Sequence, residues 1–346
     1  MPLILNHDDV CASISMSDAI EAVELGFREE GDGGVQQPPR TNIAIDHPKG
    51  FLRLGPCVMK NSRWMGFKAM NLAEGTGCRY QVHLYSMDDG ALRAIMDAQF
   101  LTTLRTGATS AVATRRLARP GPSLVGVVGS GREAYMQLEA MRVLGCVGAA
   151  RVYSPTTANR DTFAGYFRDT CGMDIVSVDR AEAAVGGADI VLAAVASAQP
   201  AVMGKWLRPG MHVNSVGTAR PTLREIDEDV LRRSDIIAVD SRNGVFNEAG
   251  DCVVAKSWLQ PDKASELSEL VCGRAPGRSC DEQITLFKSV GTAVQDIAVA
   301  VRIYQNATKL GLGCELCDFP VIVDKAPPKL QHQSPSGRNK NASAEI

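Results

Sequence analysis

Gly129-Ser130-Gly131-Arg132-Glu133-Ala134 follows the apolar, β-branched run 124–128 and leads into a segment rich in alanine, leucine and methionine. That order reads as strand, tight turn, helix. Gly129 permits the turn, Gly131 lets backbone N–H groups approach a pyrophosphate, and Ala134 lets the helix lie close to the strand. The helix N-terminus then turns its partial positive charge toward the phosphates. The same spacing also serves as a bare structural turn, but a second strand-like run at 149–153 favours a dinucleotide site. After that run come Ser154, Thr156, Asn159 and Arg160, with no acid to accept from ribose hydroxyls or to repel a 2′-phosphate. Hydroxyls, an amide and a guanidinium suit the phosphate, so NADP(H) is favoured, with NAD(H) as the alternative.

Three cations stand upstream of this motif. Arg40 follows Pro38-Pro39, Lys68 lies in the strand-like Gly66-Phe67-Lys68-Ala69-Met70, and Arg105 lies in the small, apolar, helix-like segment 101–108. A charge inside an apolar element needs a partner. A bound carboxylate or phosphate would supply one, and arginine suits bidentate contact. Taken singly, each could be a surface charge or half of an internal salt bridge; beside a nucleotide motif, the set points to an anionic substrate.

The elements that must position these groups divide the chain. Residues 17–30 read as a helix with Ser17 as N-cap and Gly31 as its stop, followed by a loop over 31–39. Strands are expected near 41–45, 51–54, 65–70, 82–85 and 91–96, then a helix over 98–118. From 120 to 290, strands at 124–128, 149–153, 174–178, 189–194, 211–216 and 236–239 alternate with helical segments, as in a doubly wound parallel sheet. A long amphipathic helix over 289–311 returns to the first part. The expected fold is α/β: a Rossmann-type dinucleotide-binding domain, 119–290, inserted into an α+β substrate-binding and dimerisation domain, 1–118 plus 291–324, with a disordered tail at 325–346.

The chain has 346 residues and a net charge of −2, which gives no electrostatic case for nucleic acid or an anionic membrane. No apolar run approaches the roughly 18–20 residues of a bilayer span, and the start lacks a signal peptide's pattern, so a cytoplasmic location is expected. Ten scattered cysteines, with only Cys314-x-x-Cys317 suggestively spaced, read as free thiols and not as a metal set.

Taken together, Gly66-Phe67-Lys68, the run from Leu101 to Ala108, Val128-Gly129-Ser130-Gly131, Asn214-Ser215-Val216-Gly217, Arg220-Pro221-x-x-Arg224-Glu225-Ile226-Asp227 and the run from Asp281 to Gly291 resemble the ornithine cyclodeaminase/mu-crystallin family, up to about residue 320. The resemblance implies a homodimer and a cleft in which Arg40, Lys68 and Arg105 face a substrate carboxylate. It further implies that Arg105 and Thr106 lie near the cofactor, that Ser130 to Ala134 cradle the pyrophosphate, and that Val195, Val216 and Ser289 line the nicotinamide end. For Asp296, on the segment Val294-Gln295-Asp296-Ile297, helix-surface, capping and catalytic roles stay open.

Departures from the family pattern choose among its branches. Cyclodeaminases carry an aspartate where this chain has Ala219, and a methyl group cannot act as acid, base or ammonium partner. The resemblance is therefore to the ketimine reductase-like branch. It implies NAD(P)H-dependent reduction of a cyclic imine carboxylate, such as Δ1-pyrroline-2-carboxylate or Δ1-piperideine-2-carboxylate, to a cyclic amino acid. His83 reads as a strand residue and leaves the proton donor unassigned. The alternatives are an amino-acid dehydrogenase, an ornithine cyclodeaminase, and a non-catalytic, crystallin-like protein that binds NADPH and a small ligand.

Overall fold

A computed structural model describes residues 1–47, 49–317 and 319; the expected tail at 325–346 lies outside them. The first sheet is built largely of antiparallel neighbours in the order Cys314–Glu315, Leu3–Leu5, Leu92–Asp97, Gly77–Ser86, Trp64–Ala73, Gly50–Met59 and Val35–Gln36, with Thr41–Ile45 also paired to Gly50–Met59. The second is parallel throughout: Ile175–Ser177, Val147–Tyr153, Ser123–Val128, Ile190–Ala193, His212–Ser215, Thr285–Lys288, Ile236–Val239 and Ser265–Glu266. Its strands Ser123–Val128, Ile190–Ala193 and Ile236–Val239 are mostly apolar and rich in β-branched residues because helices cover both faces. The fold is thus a Rossmann-type sheet inserted between the strands of a second, α+β unit.

Two helices join the halves. Gln99–Leu117 is buried along most of its length, which its alanines, threonines and glycine allow by leaving room for close neighbours. Ala293–Leu310 packs on Met16–Gly31 and on the antiparallel sheet through Val294, Ile297 and Ala298. One apolar cluster runs from Val10 and Phe27 through Leu104 and Val112 to Val125 and Phe163. A second, with Val213, Phe246 and Leu286, fills the other face of the parallel sheet.

Several local expectations are corrected. The first long helix, Met16–Gly31, is capped by Ser15 and not Ser17: Ser15 accepts from the Asp18 amide, and Asp18 accepts in return from the Ser15 amide. Ser17 has Ile20 three residues on and cannot close such a box. Gly31 is the helix's last residue, and the positive φ that ends the turn falls on Gly33 (+77°). The expected loop at 31–39 contains the short strand Val35–Gln36. Thr285–Lys288, unassigned by its sequence pattern, is an interior strand of the parallel sheet, buried throughout despite its lysine. The last long helix begins at Ala293: Ser289 donates its hydroxyl to Asp240 at 2.6 Å, and Gly291 adopts φ +80°, so 289–292 turn before the helix starts.

Candidate active site

Register in the antiparallel sheet sets two adjacent rows on one face. Gly55 lies opposite Lys68, which lies opposite Val82; one step along, Arg53 lies opposite Met70, and Met70 opposite Tyr80. This face forms one wall of a cavity of about 370 Å3. The helix Gln99–Leu117 adds Thr102 and Arg105, Ala293–Leu310 adds Asp296, and the loop before Thr41–Ile45 adds Arg40. The opposite wall comes from the parallel-sheet half, through Ala219, Ser241, Gly244, Glu248 and Val290.

The structure therefore brings Arg40, Lys68 and Arg105 together, and it gives each an internal acid as well. Lys68 Nζ and Arg105 Nε both donate to Oδ1 of Asp296, at 2.8 and 3.0 Å. Arg105 also donates to Gln295 Oε1 at 2.9 Å, and Arg40 pairs with both carboxylate oxygens of Glu248. Asp296 is buried between the cations, which rules out the helix-surface option for it. Because one acid serves two cations there, the cluster keeps a positive charge and spare N–H donors. Burial pushes Lys68 down to about 8; Asp296 opposes that shift, while Arg105 and Arg40 add to it. Burial also pushes Glu30, on another wall, up to about 8, helped by Glu266 and Asp240 and opposed by the amide of Gln37.

A row of strand ends adjoins this cavity. Ser123–Val128 has Val147–Tyr153 on one side and Ile190–Ala193 on the other, so the chain reverses direction of winding at its carboxyl end. Gly129 stands at that end with φ +119°, where a Cβ would lie 2.5 Å from the Ala194 carbonyl oxygen. The helix Arg132–Leu144 starts from Gly131 with no side-chain cap, and nothing lies within 4 Å of a Cβ placed at Gly131. Free first-turn amides beside open space fit a pyrophosphate. Ser130 is half-buried, Arg132 exposed and Ala134 fully buried against the strand. The Glu133 carboxyl is pushed up by burial, and its Oε2 meets no hydrogen-bond donor among the described residues.

The other residues singled out from the sequence fall at the same edge. Ser154 is buried and donates to the Thr156 carbonyl at 3.3 Å; Thr156 and Asn159 are exposed; Arg160 donates to the Ser154 carbonyl at 3.0 Å. Val195, Val216 and Ser289 follow three neighbouring strands whose residues Ala193, Ser215 and Lys288 stand in register. The Val195 amide donates to Glu225 at 2.9 Å, and the Ser289 hydroxyl is turned to Asp240. Thr106 is buried and donates to the Thr102 carbonyl at 2.8 Å. His83 stacks on Phe67 on the sheet face opposite Lys68, with ring centroids 4.7 Å apart.

Sequence reasoning missed Arg53, Glu248 and Asp240. Arg53 carried the signal that flagged Lys68, a cation inside an apolar strand. The two acids lie far along the chain from their partners, and no local pattern marks them.

A nucleotide-type switch point beside a cation-rich cavity defines a dinucleotide-binding fold of the enzyme kind. Residues 1–310 match the ornithine cyclodeaminase/mu-crystallin family, and the chain belongs to it. The ketimine reductase mu-crystallin of Mus musculus is 31% identical over 87% of this chain and 94% of its own. The structure of Thermococcus litoralis Δ1-pyrroline-2-carboxylate reductase in complex with NADH and L-proline superposes with a TM-score of 0.86 at 34% identity, covering 91% of this chain and all of that one (100%). An archaeal alanine dehydrogenase dimer with bound NAD superposes with a TM-score of 0.85 at 32% identity, covering 92% and 99%.

Proposed function

We propose that this protein is an oxidoreductase acting on C–N bonds, which reduces the C=N bond of a 2-imino carboxylate with a nicotinamide cofactor. Cyclic imines such as Δ1-pyrroline-2-carboxylate and Δ1-piperideine-2-carboxylate are its first candidate substrates. The observation that carries this reading is the pair Lys68 and Arg105 on a single acid, inside a cavity walled on its far side by residues that follow strands of the parallel sheet. When bound, the nicotinamide supplies a hydride to the imine carbon. The protein's own part is placement: Lys68, Arg105 and Arg40 hold the substrate carboxylate, and Asp296 fixes the two inner cations and offsets the charge of a protonated imine. Ala219 on the opposite wall offers no acid or base, which favours reduction over deamination.

Gly129 to Ala134 would hold the pyrophosphate, with Thr106 close by, and Val195, Val216 and Ser289 would border the nicotinamide. Ser154, Thr156, Asn159 and Arg160 would take the adenosine ribose, with NADP(H) preferred over NAD(H); Arg160→Glu is expected to weaken NADPH much more than NADH in binding titrations. The exposed Ile43 (52%), Ile45 (43%) and Leu52 (37%) on one hairpin would be covered in a homodimer.

The deciding measurement is NADPH and NADH oxidation with cyclic imines, 2-oxo acids plus ammonia, and ornithine. Turnover of cyclic imines is expected. Turnover of pyruvate with ammonia alone would make the protein an amino-acid dehydrogenase, and NADPH binding with no turnover would make it a binding protein.

A further inference from the structure

We propose that the preferred imine substrate carries two carboxylates, and that Arg53 receives the second. The inference rests on the imine-reductase reading above and narrows its substrate class. Arg53 lines the same cavity as Lys68, one row along the sheet: Lys68 faces Gly55, so Arg53 is its diagonal neighbour, about 7–8 Å away between backbones. A small dicarboxylate bridges that span once the two long side chains lean inward.

Arg53 has donors to spare. Its Nε donates to Asn42 Oδ1 at 3.2 Å, and its guanidinium carbon lies 5.6 Å from the Phe51 ring centre. Among the described residues no carboxylate forms an ion pair with it; Arg40 and Arg220 repel it, and Glu248, already bonded to Arg40, attracts it only from beyond ion-pair distance. The acids of the cavity are already engaged: Glu248 with Arg40, Asp296 with Lys68 and Arg105. The third, Glu30, is held largely protonated at neutral pH by its burial. Four cations, Arg40, Arg53, Lys68 and Arg105, thus face two carboxylates. A substrate with one carboxylate neutralises only part of this excess and leaves Arg53 beside Arg40 with no carboxylate of its own. A second carboxylate, on the side chain or on the imine nitrogen, removes that repulsion and gains a bidentate partner. The chemistry is otherwise unchanged: hydride forms the new C–H bond, the C=N π pair moves onto nitrogen, and the nicotinamide is oxidised.

The test compares kcat/KM of the full chain for imines of 2-oxoglutarate and oxaloacetate, each formed with excess ammonia, against Δ1-pyrroline-2-carboxylate and the imine of pyruvate. The dicarboxylates should be preferred, and Arg53→Gln should lower the dicarboxylate-to-monocarboxylate ratio on the order of 10–100-fold, mainly through KM, with partial recovery in Arg53→Lys. If Arg53→Gln does not fold, inhibition of the unaltered enzyme by glutarate against butyrate decides, glutarate being expected to bind at least ~10-fold more tightly. Turnover of monocarboxylates with no dicarboxylate preference, or an unmoved ratio in the variant, overturns this inference alone. Absence of turnover with every imine overturns the functional reading beneath it as well.

Discussion

Lys68 and Lys288 stand on strands of the two sheets in inverted surroundings. At Lys68, two cations meet one acid on the wall of a cavity. At Lys288, one cation meets two acids: Glu225 at 3.0 Å and Asp251 at 2.7 Å, with the side chains at 0% exposure. Burial lowers both lysine pKa values. It prevails at Lys68, which falls to about 8, and at Lys288 it is outweighed by Glu225 and Asp251, so that the ammonium is held charged beyond its ordinary range. The difference separates a proposed binding group from a strut. The Lys288 cluster is closed on itself: Ser215 donates to Glu225, Glu225 accepts the Val195 amide, and Asp251 accepts the amides of Glu225 and Ile226. It locks together the loops that follow three parallel strands and leaves nothing over for a ligand. The Lys68 cluster is short of acid and has donors left.

The largest expected effect would break this contrast at its rigid end. Lys288→Met strands two carboxylates in the interior and should cost about 3–5 kcal/mol in urea unfolding; a loss below about 1 kcal/mol would make Lys288 dispensable as a strut. Next, Lys68→Ala should lower kcat/KM roughly 10–100-fold while cofactor affinity and melting temperature stay close to those of the unaltered protein; near-normal turnover would reject Lys68 as a carboxylate ligand. The smallest effect sharpens the contrast by pH. A protonated Lys68 attracts the substrate carboxylate and a neutral one does not, so kcat/KM should be full below pH 8 and fall as pH rises through about 8. Lys68→Arg, which keeps its charge, should remove that limb while leaving the substrate's own titration in place.

Much of this was legible in the chain. The glycine turn and the strands around it follow from spacing over a few residues, as do Lys68 and Arg105 as charges in apolar surroundings. What could not be read were partners set by tertiary packing. Asp296 is 228 positions from Lys68 and 191 from Arg105, and Glu248 is 208 from Arg40. For the same reason Thr285–Lys288 escaped notice. Its lysine interrupts a short apolar run, and only Glu225 and Asp251, brought in from elsewhere, make burial of that charge tolerable. Ser289 shows the converse: the resemblance set it near the cofactor and the pattern put it at the start of a helix, but it follows a strand and its hydroxyl is committed to Asp240, which also accepts the Gly291 amide at 2.7 Å.

The order in which a ribosome releases these parts gives the insertion a temporal meaning. Every strand from Ser123–Val128 to Thr285–Lys288 emerges before the helix Ala293–Leu310, so the parallel sheet has all its pairing partners while the first sheet still awaits Cys314–Glu315. Through that interval Lys68 and Arg105 are already made, and the carboxylate they share is not. The pocket proposed to hold the substrate is therefore among the last features of the molecule to be completed during synthesis. A nascent chain stalled before residue 293 could assemble the nucleotide half and still have no acid to hold its two inner cations in place.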